Sequence, residues 1–379
     1  MASYLIAFAT RGKIGLIRPD GTGERFLEFD VPGQVSWQLG PQFHDGRLIV
    51  TSFEQGKTWE GNVRTHLWIY APEGGTLTEI ATRNRLAPFL ICSALLPGEE
   101  RMVANPIIAG EQRLYTMNLD GSDPVPLTQP GDGFAYCPAL SPDATHLAYH
   151  IAGPRGLSYR IQVVDLEGRH CITVAHHPDH LYFGPAWSPD GAWLVFEDCL
   201  FKEDPGHDWA DLCLARPDGS ELRRITQGQS QWFATSYGGA ETRGGGSELP
   251  QWSPDGRWVT YTRRLPGAQT AWVFQPQRPD TDHFNRDYHP EAARGGTEIC
   301  LLDPFQGEAR RLTHSDPPVW DFRPRYSPDS RQIAFCRAAV GQPSELWLME
   351  ADGSSPRRLT CGYRGLGADH PRWILAGRG

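Results

Sequence analysis

Three stretches of this chain concentrate side chains that move protons, hold anions and stack on rings: Leu200 to Asp211, Trp232 to Glu248 and Leu265 to Thr297. Within them fall His207, Asp208, Trp209, Tyr237, Glu241, Arg243, Asp282, His283, Arg286, Asp287, Tyr288 and His289. Imidazoles titrate near neutrality, guanidiniums fork carboxylates, and Trp and Tyr faces stack on the C–H surface of a sugar ring. Together they suit an anionic, sugar-like ligand. Loops this long are usually functional rather than mere connections.

The elements that must position these residues are written as a repeat. LSPDATHLAYH from Leu140, WSPDGAWLVFE from Trp187, WSPDGRWVTYT from Trp252 and YSPDSRQIAFC from Tyr326 each place a Ser-Pro-Asp turn between two apolar runs, between 45 and 75 residues apart. A second hairpin trails each clear copy or its neighbour, as in LCLARPDGSELRRIT from Leu212 and LWLMEADGSSPRRLT from Leu346. Hairpin plus hairpin makes a four-stranded antiparallel blade, and repeated blades predict an all-β propeller. With degenerate copies at Gly40 to Glu54 and Phe89 to Pro106, the expected fold is a seven-bladed β-propeller forming one domain, residues 1–379. Its last blade is expected to be closed by both ends, with His370 to Gly377 innermost and Tyr4 to Phe29 supplying the outer three strands.

In such a disc the loop entering each innermost strand and the loop after each second strand share one face, so the three insertions should gather over one mouth of the channel. Strand ends at His150, Glu197, Arg264, Tyr182, Arg323 and His370, with His180 on an entry loop, add polar groups to that mouth. His176 and His177 belong to a surface loop, and His44 and His146 to hairpin turns on the opposite side.

The repeat resembles that of TolB-type, WD40-like propeller proteins along essentially the whole chain, although that fold serves binders and enzymes alike. In blade number, size and its His, Tyr and Arg-rich mouth the chain is also similar to propeller lyases that cleave uronate-containing glycans. That likeness implies β-elimination, in which a cation neutralises the carboxylate, a base removes the adjacent proton and an acid protonates the leaving oxygen. Candidates are Arg243 or Arg264 as neutraliser, His150 or His180 as base, and Tyr182 or Tyr237 as acid. His207, Trp209, Arg264, His283, Arg286, Tyr288, His289, Arg323 and His370 are the expected substrate-binding residues. A calcium or manganese ion is a possible cofactor, but the clustered His and Gln ligands of oligogalacturonate lyases are not found in the sequence. The alternative is a non-catalytic propeller that holds a protein or peptide at the same mouth.

Thirty-six basic and 45 acidic residues give a formal charge of −9 without charge blocks, which argues against nucleic acid and anionic membranes as partners. The apolar stretch near the first residue is too short for a signal or a membrane span. Eight scattered cysteines without a paired CxxC spacing read as small apolar residues in a reducing cytoplasm. Walker, GxSxG, HExxH and Rossmann patterns do not occur.

Overall fold

The Ser-Pro-Asp turns close on themselves. Each serine hydroxyl donates to its own aspartate, at 2.6 Å from Ser141, 2.5 Å from Ser188, 2.5 Å from Ser253 and 2.6 Å from Ser327. The same oxygen accepts the backbone N–H five residues on, of His146, Trp193, Trp258 and Gln332, at 2.9 to 3.0 Å. These serine bonds hold the Asp143, Asp190 and Asp329 carboxyls below the usual carboxylate range. The left-handed position that ends each turn is Gly191 or Gly256 in two copies, and Ala144 or Ser330 in the others. The trailing Leu-Thr or Ile-Thr signal has an equally local cause. Thr128, Thr226, Thr313 and Thr360 each accept, through the side-chain hydroxyl, a buried N–H at or near the beginning of the third strand, at Leu114, Leu212, Ile299 and Leu346.

This computed structural model describes residues 3–55, 64–86, 94–152, 159–199, 209–228, 230–231, 233–236, 244–275, 286–307, 309–360 and 367–376. Its strands form a propeller-like arrangement of antiparallel sheets with almost no helix; Pro290–Ala292 is a 3-10 turn. The Ser141 unit orders Phe134–Leu140, His146–Ala152, Tyr159–Asp165 and Cys171–Ala175 from inside to outside. The strands at the two ends pair as well. Asp369–Leu375 lies beside Tyr4–Thr10, with Ile6 opposite Trp373, and Lys13–Ile17 and Arg25–Leu27 follow outward. Innermost strands touch the next unit in turn, and the terminal unit touches Gln34–Gln42, so the order of contacts returns to its start.

Apolar side chains fill the spaces between successive units. Phe196, Leu194 and Tyr182 pack against Ile161 and Val163 of the preceding unit, for example, and Ile6 and Phe8 against Leu346 and Leu348. Tryptophans before the turns stitch units together. The indole N–H groups of Trp187, Trp252 and Trp373 donate to the carbonyls of Ala139, Ala186 and Arg325, at 2.9, 3.2 and 3.0 Å. Each acceptor sits two residues before the previous unit's serine, so one hydrogen bond is repeated in register. Three units are further fused: Ser230–Gln231 bridges Trp209–Ala215 to Val259–Arg264, and Thr297 meets Trp320 in a parallel contact. Among the described residues no helix is long and apolar enough to cross a membrane.

Thr313→Val should keep the side-chain shape while stranding the buried Ile299 N–H. A loss of about 1–3 kcal/mol is expected in urea denaturation; an unchanged midpoint would show that the hydroxyl does not cap that strand.

Candidate functional site

The side chains at the mouth are aimed by a bulge that recurs in the innermost strands. Between Val35 and Gln38, Tyr136 and Ala139, Phe183 and Ala186, and Phe322 and Arg325, two residues of the inner strand face one of its partner. Asp369 to Arg372 shows the same count. The extra residue takes positive φ at Ser36, Cys137, Gly184, Arg323 and His370, and in the last four a proline follows. Proline offers no N–H to the ladder and a bulge re-aims the side chains beside it, so each strand turns backbone and side-chain polar groups away from its own sheet.

Two buried groups receive the freed amides. Gly184 N–H donates to His150 Nδ1 at 3.3 Å, and Arg323 N–H donates to Glu248 Oε1 at 2.7 Å. His150 is 2% exposed, stacked between Tyr136 and Tyr159 at ring separations of 5.5 and 5.4 Å. Burial pushes its pKa down to about 3, so the ring is neutral and serves as an acceptor inside the wall.

His180 stands differently. Its Nδ1 lies 2.7 Å from Asp198 Oδ2, and its ring stacks on Tyr182 at 5.7 Å. Asp198 is 2% exposed and His180 keeps 18% of its side chain open. With Nδ1–H donated to the carboxylate, the lone pair is on Nε2, and among the described residues nothing hydrogen-bonds that atom. Burial raises the Asp198 carboxyl, which His180 and Arg224 pull back. Arg224 reaches Asp198 at 3.6 Å and Asp211 at 3.1 Å while remaining 45% exposed. Burial also raises the Tyr182 phenol, which stays protonated.

A second charged group lies across the inner strands of the Ser253, Ser327 and terminal units. Arg323, 1% exposed, meets Asp369 at 2.7 Å, and His370 lies 3.4 Å from the same carboxylate with half its side chain open. Burial alone would raise Asp369, but Arg323 and His370 hold it well below the usual carboxylate range. The enclosing walls and then the Arg323 charge push His370 down, and burial brings Arg325 down to about 10. Glu197, bonded by Ser230 at 3.0 Å, is raised far above the carboxylate range by burial and further by the charge of Glu248. Glu248, which also accepts from Thr262, is itself raised by burial.

The first and third insertions meet at Trp209, which packs with Ala268, Ala271, Trp320 and Phe322, with Trp272 and Tyr288 at the cluster's edge. Trp272 also joins Phe183, Leu249 and Cys199, so the hairpin of Trp272–Phe274 and Arg286–Tyr288 lies against inner strands of several units. Arg286 ties that hairpin by donating to the Trp272 carbonyl at 3.1 Å, and Tyr288 packs on Trp272 at 5.2 Å. His289 points outward to Glu291 at 2.9 Å. Arg264 lies over the Trp209 ring at 5.3 Å. Tyr237, Arg243, His207 and His283 lie outside the described residues.

The structure thus groups His180 with Tyr182, Arg323 with His370, and Trp209 with Arg264 and Tyr288, while His150 is set in the wall. Asp198, Arg224, Glu248, Asp369 and Arg325 complete these groups; Asp198 and Asp369 read as strand-end acids and Arg325 as an ion-pair partner in the sequence, whereas Arg224 and Glu248 were not singled out. Arg224 had a readable signal, since Arg-Arg before Ile-Thr or Leu-Thr occurs in three copies, each with an acid early in the third strand. Arg224–Asp211, Arg311–Glu298 and Arg358–Glu345 are that pair, at 3.1, 2.6 and 2.9 Å. Among the described residues, no three His, Cys, Asp or Glu side chains are gathered as metal ligands.

No family model matches the chain. An uncharacterized protein of Agrobacterium fabrum, Atu1656, is 28% identical over 242 residues, which are 58% of this chain and 72% of that protein. The uncharacterized peptidase YuxL of Bacillus subtilis is 25% identical over 159 residues, and the chain spans only 21% of its length. Among solved structures, the oligogalacturonate lyase of Vibrio parahaemolyticus aligns with a TM-score of 0.58 at 13% identity, over 94% of this chain and 85% of that one. Puromycin hydrolase aligns with a TM-score of 0.58 at 14% identity over 95% of this chain, which spans 52% of the hydrolase. A TolB-like protein of Agrobacterium tumefaciens aligns at 0.47 and 16% identity, over 92% of this chain and 99% of its own. Identities this low speak to the fold alone. The propeller-like arrangement of its sheets is similar in architecture to that of the oligogalacturonate lyase structures.

His150 generates a pH test. Its folded pKa lies below the ordinary value of 6.5, so its contribution is complete above that value and is lost as pH falls toward about 3. The loss per pH unit in that window is about 1.4 kcal/mol. His150→Phe should cost about 1–3 kcal/mol at neutral pH through the stranded Gly184 amide, and should show a shallower decline in acid than the parent. A parent-to-variant difference that does not change with pH would refute the buried neutral ring.

Proposed function

We propose that this protein is a carbohydrate-active enzyme that cleaves uronate-containing oligo- or polysaccharide by β-elimination at the channel mouth. The carrying observation is the His180–Asp198 pair, 2.7 Å apart, with a buried carboxylate behind the ring and Nε2 without a described partner in front. A base must be oriented before its pKa matters, and a carboxylate on Nδ1 fixes both the tautomer and the plane of the ring.

In this reading Nε2 of His180 takes the proton from the carbon next to the carboxylate. The released electron pair forms the carbon–carbon double bond, the bond to the glycosidic oxygen breaks, and Tyr182 gives that oxygen its proton. Arg224 is the cation of this cluster, and Arg325 adds a second positive charge near the inner strands for an acidic chain. His150 keeps a place in the site as the acceptor that holds the Gly184 bulge. Tyr237 remains the alternative acid and Arg243 the alternative neutraliser, and His207 and His283 keep their proposed substrate-binding roles. Similarity to oligogalacturonate lyase structures over most of both chains supports the reading, and the peptidase structures, which the chain half spans, show that the same propeller accompanies other chemistry.

The same reading counts the four-stranded units as seven blades of one domain over residues 1–379, with the terminal unit as the closing blade. It places the protein in the cytoplasm, in keeping with the unpaired thiols of Cys199, Cys213, Cys300 and Cys336 in its core.

The ultraviolet absorbance of the unsaturated product, followed over a panel of uronic-acid oligosaccharides with and without calcium or manganese, tests the reaction. His180→Gln should lower kcat by about 10²–10⁴-fold with little change in KM, and Asp198→Asn should act in the same direction. If no substrate reacts while acidic saccharides or peptides still bind, the protein is a binding propeller.

A further inference from the structure

Where Val259–Arg264 runs out into the third insertion, an open cleft of about 520 Å³ lies against the Ser253 unit. Arg263, Arg264, Arg311, Glu298 and Gln227 line it, with the turn at Leu265–Gly267. A volume of this order suits a small organic ligand.

The charge in this cleft departs from that of its neighbours. At the corresponding place in the Ser188 unit, Asp198 and Asp211 face His180 and Arg224. In the Ser327 unit, Arg337 is held by both oxygens of Asp321 at 2.6 and 2.8 Å, and Arg358 by Glu345 at 2.9 Å. In the Ser253 unit Glu298 alone serves two guanidiniums. Arg263 holds its Oε1 at 2.8 and 2.5 Å, and Arg311 meets its Oε2 at 2.6 Å. Arg264 rests on the Trp209 ring instead, and no described carboxylate pairs with it. One acid therefore faces three guanidiniums. Glu298 is 2% exposed and fixed between two of them, whereas Arg311 keeps 45% of its side chain open.

We propose that this cleft is a binding site for a small organic polyanion carrying at least two carboxylates. Guanidiniums bind planar carboxylates through paired, directed hydrogen bonds, and the indole under Arg264 holds that fork in place. A ligand with two carboxylates matches the two guanidinium charges that Glu298 leaves over. None of the residues lining the cleft belongs to the His180 cluster, and binding there does not require elimination chemistry. Both an acidic saccharide and a free polycarboxylic acid present this chemistry.

Calorimetric titration of the full chain with a uronic-acid disaccharide, with citrate and with acetate tests the site. At least one of the two polyanions should bind, more tightly than acetate, and whichever binds better identifies the source. Arg264→Ala and Arg311→Gln should each weaken binding about tenfold or more, with melting curves showing both variants folded, while His180→Gln should bind as the parent does. The proposal is overturned if neither polyanion binds, if acetate binds as tightly, or if both arginine variants bind like the parent. Loss of elimination activity in His180→Gln with binding here intact separates this site from the catalytic reading.

Discussion

The bulge in the innermost strands is the constraint on which the mouth depends. A regular inner strand, which has one neighbour, would keep the amides on its paired side within its own sheet and alternate its side chains between the two inter-sheet cores. One extra residue breaks that accounting at the same place in unit after unit. The freed N–H must then be satisfied from a neighbouring unit, because a buried unpaired amide is costly. His150 and Glu248 are where they are for this reason, each accepting from the following or a later unit's bulge. Polar groups enter the heart of an apolar ring as hydrogen-bond partners first.

Gly184 shows how tightly this is set. Its φ is +65°, and a Cβ there would stand 2.1 Å from Leu249 Cδ2, which itself packs with Phe183 and Trp272. Backbone geometry in one unit, a core leucine entering the next and an insertion's tryptophan are therefore coupled through a single position. Ser36, Cys137, Arg323 and His370 hold the same left-handed turn with side chains present, at the strain that conformation carries for residues other than glycine. At Arg323 and His370 that turn sets a buried guanidinium and a half-open imidazole against the two oxygens of the Asp369 carboxylate.

The architecture was legible because it is made of local bonds repeated in sequence. Ser-Pro-Asp, Asp-Gly and Leu-Thr each correspond to hydrogen bonds closed within one hairpin or one sheet, and local chemistry repeats when the letters repeat. The pairing of Tyr4–Thr10 with Asp369–Leu375 followed from counting which strands lacked partners. The site was less legible. His150 and His180 look alike as histidines near strand ends, and what separates them is the identity of the neighbour, a backbone amide for one and a buried carboxylate for the other. Glu248 carries no local signal at all, since its partner Arg323 is 75 positions away.

Charge balance adds what the letters alone could not. Read unit by unit, the mouth-side ion pairs are structural: in three units an arginine before Ile-Thr or Leu-Thr returns to an acid early in the third strand and holds the fourth strand to it. A repeat makes departures measurable, because each unit serves as the reference for the others. The Ser188 unit departs by substituting a histidine, which couples a proton acceptor to a buried carboxylate. The Ser253 unit departs by spending a single acid on two arginines beside a third. Both departures adjoin the long insertions, and the Trp209 cluster that fastens those insertions also carries Arg264 on its face. The sequence varies its charges where the chain has been lengthened and keeps them paired where it has not, as expected of a scaffold whose rigid repeat is conserved in form while the chemistry is written at its edges.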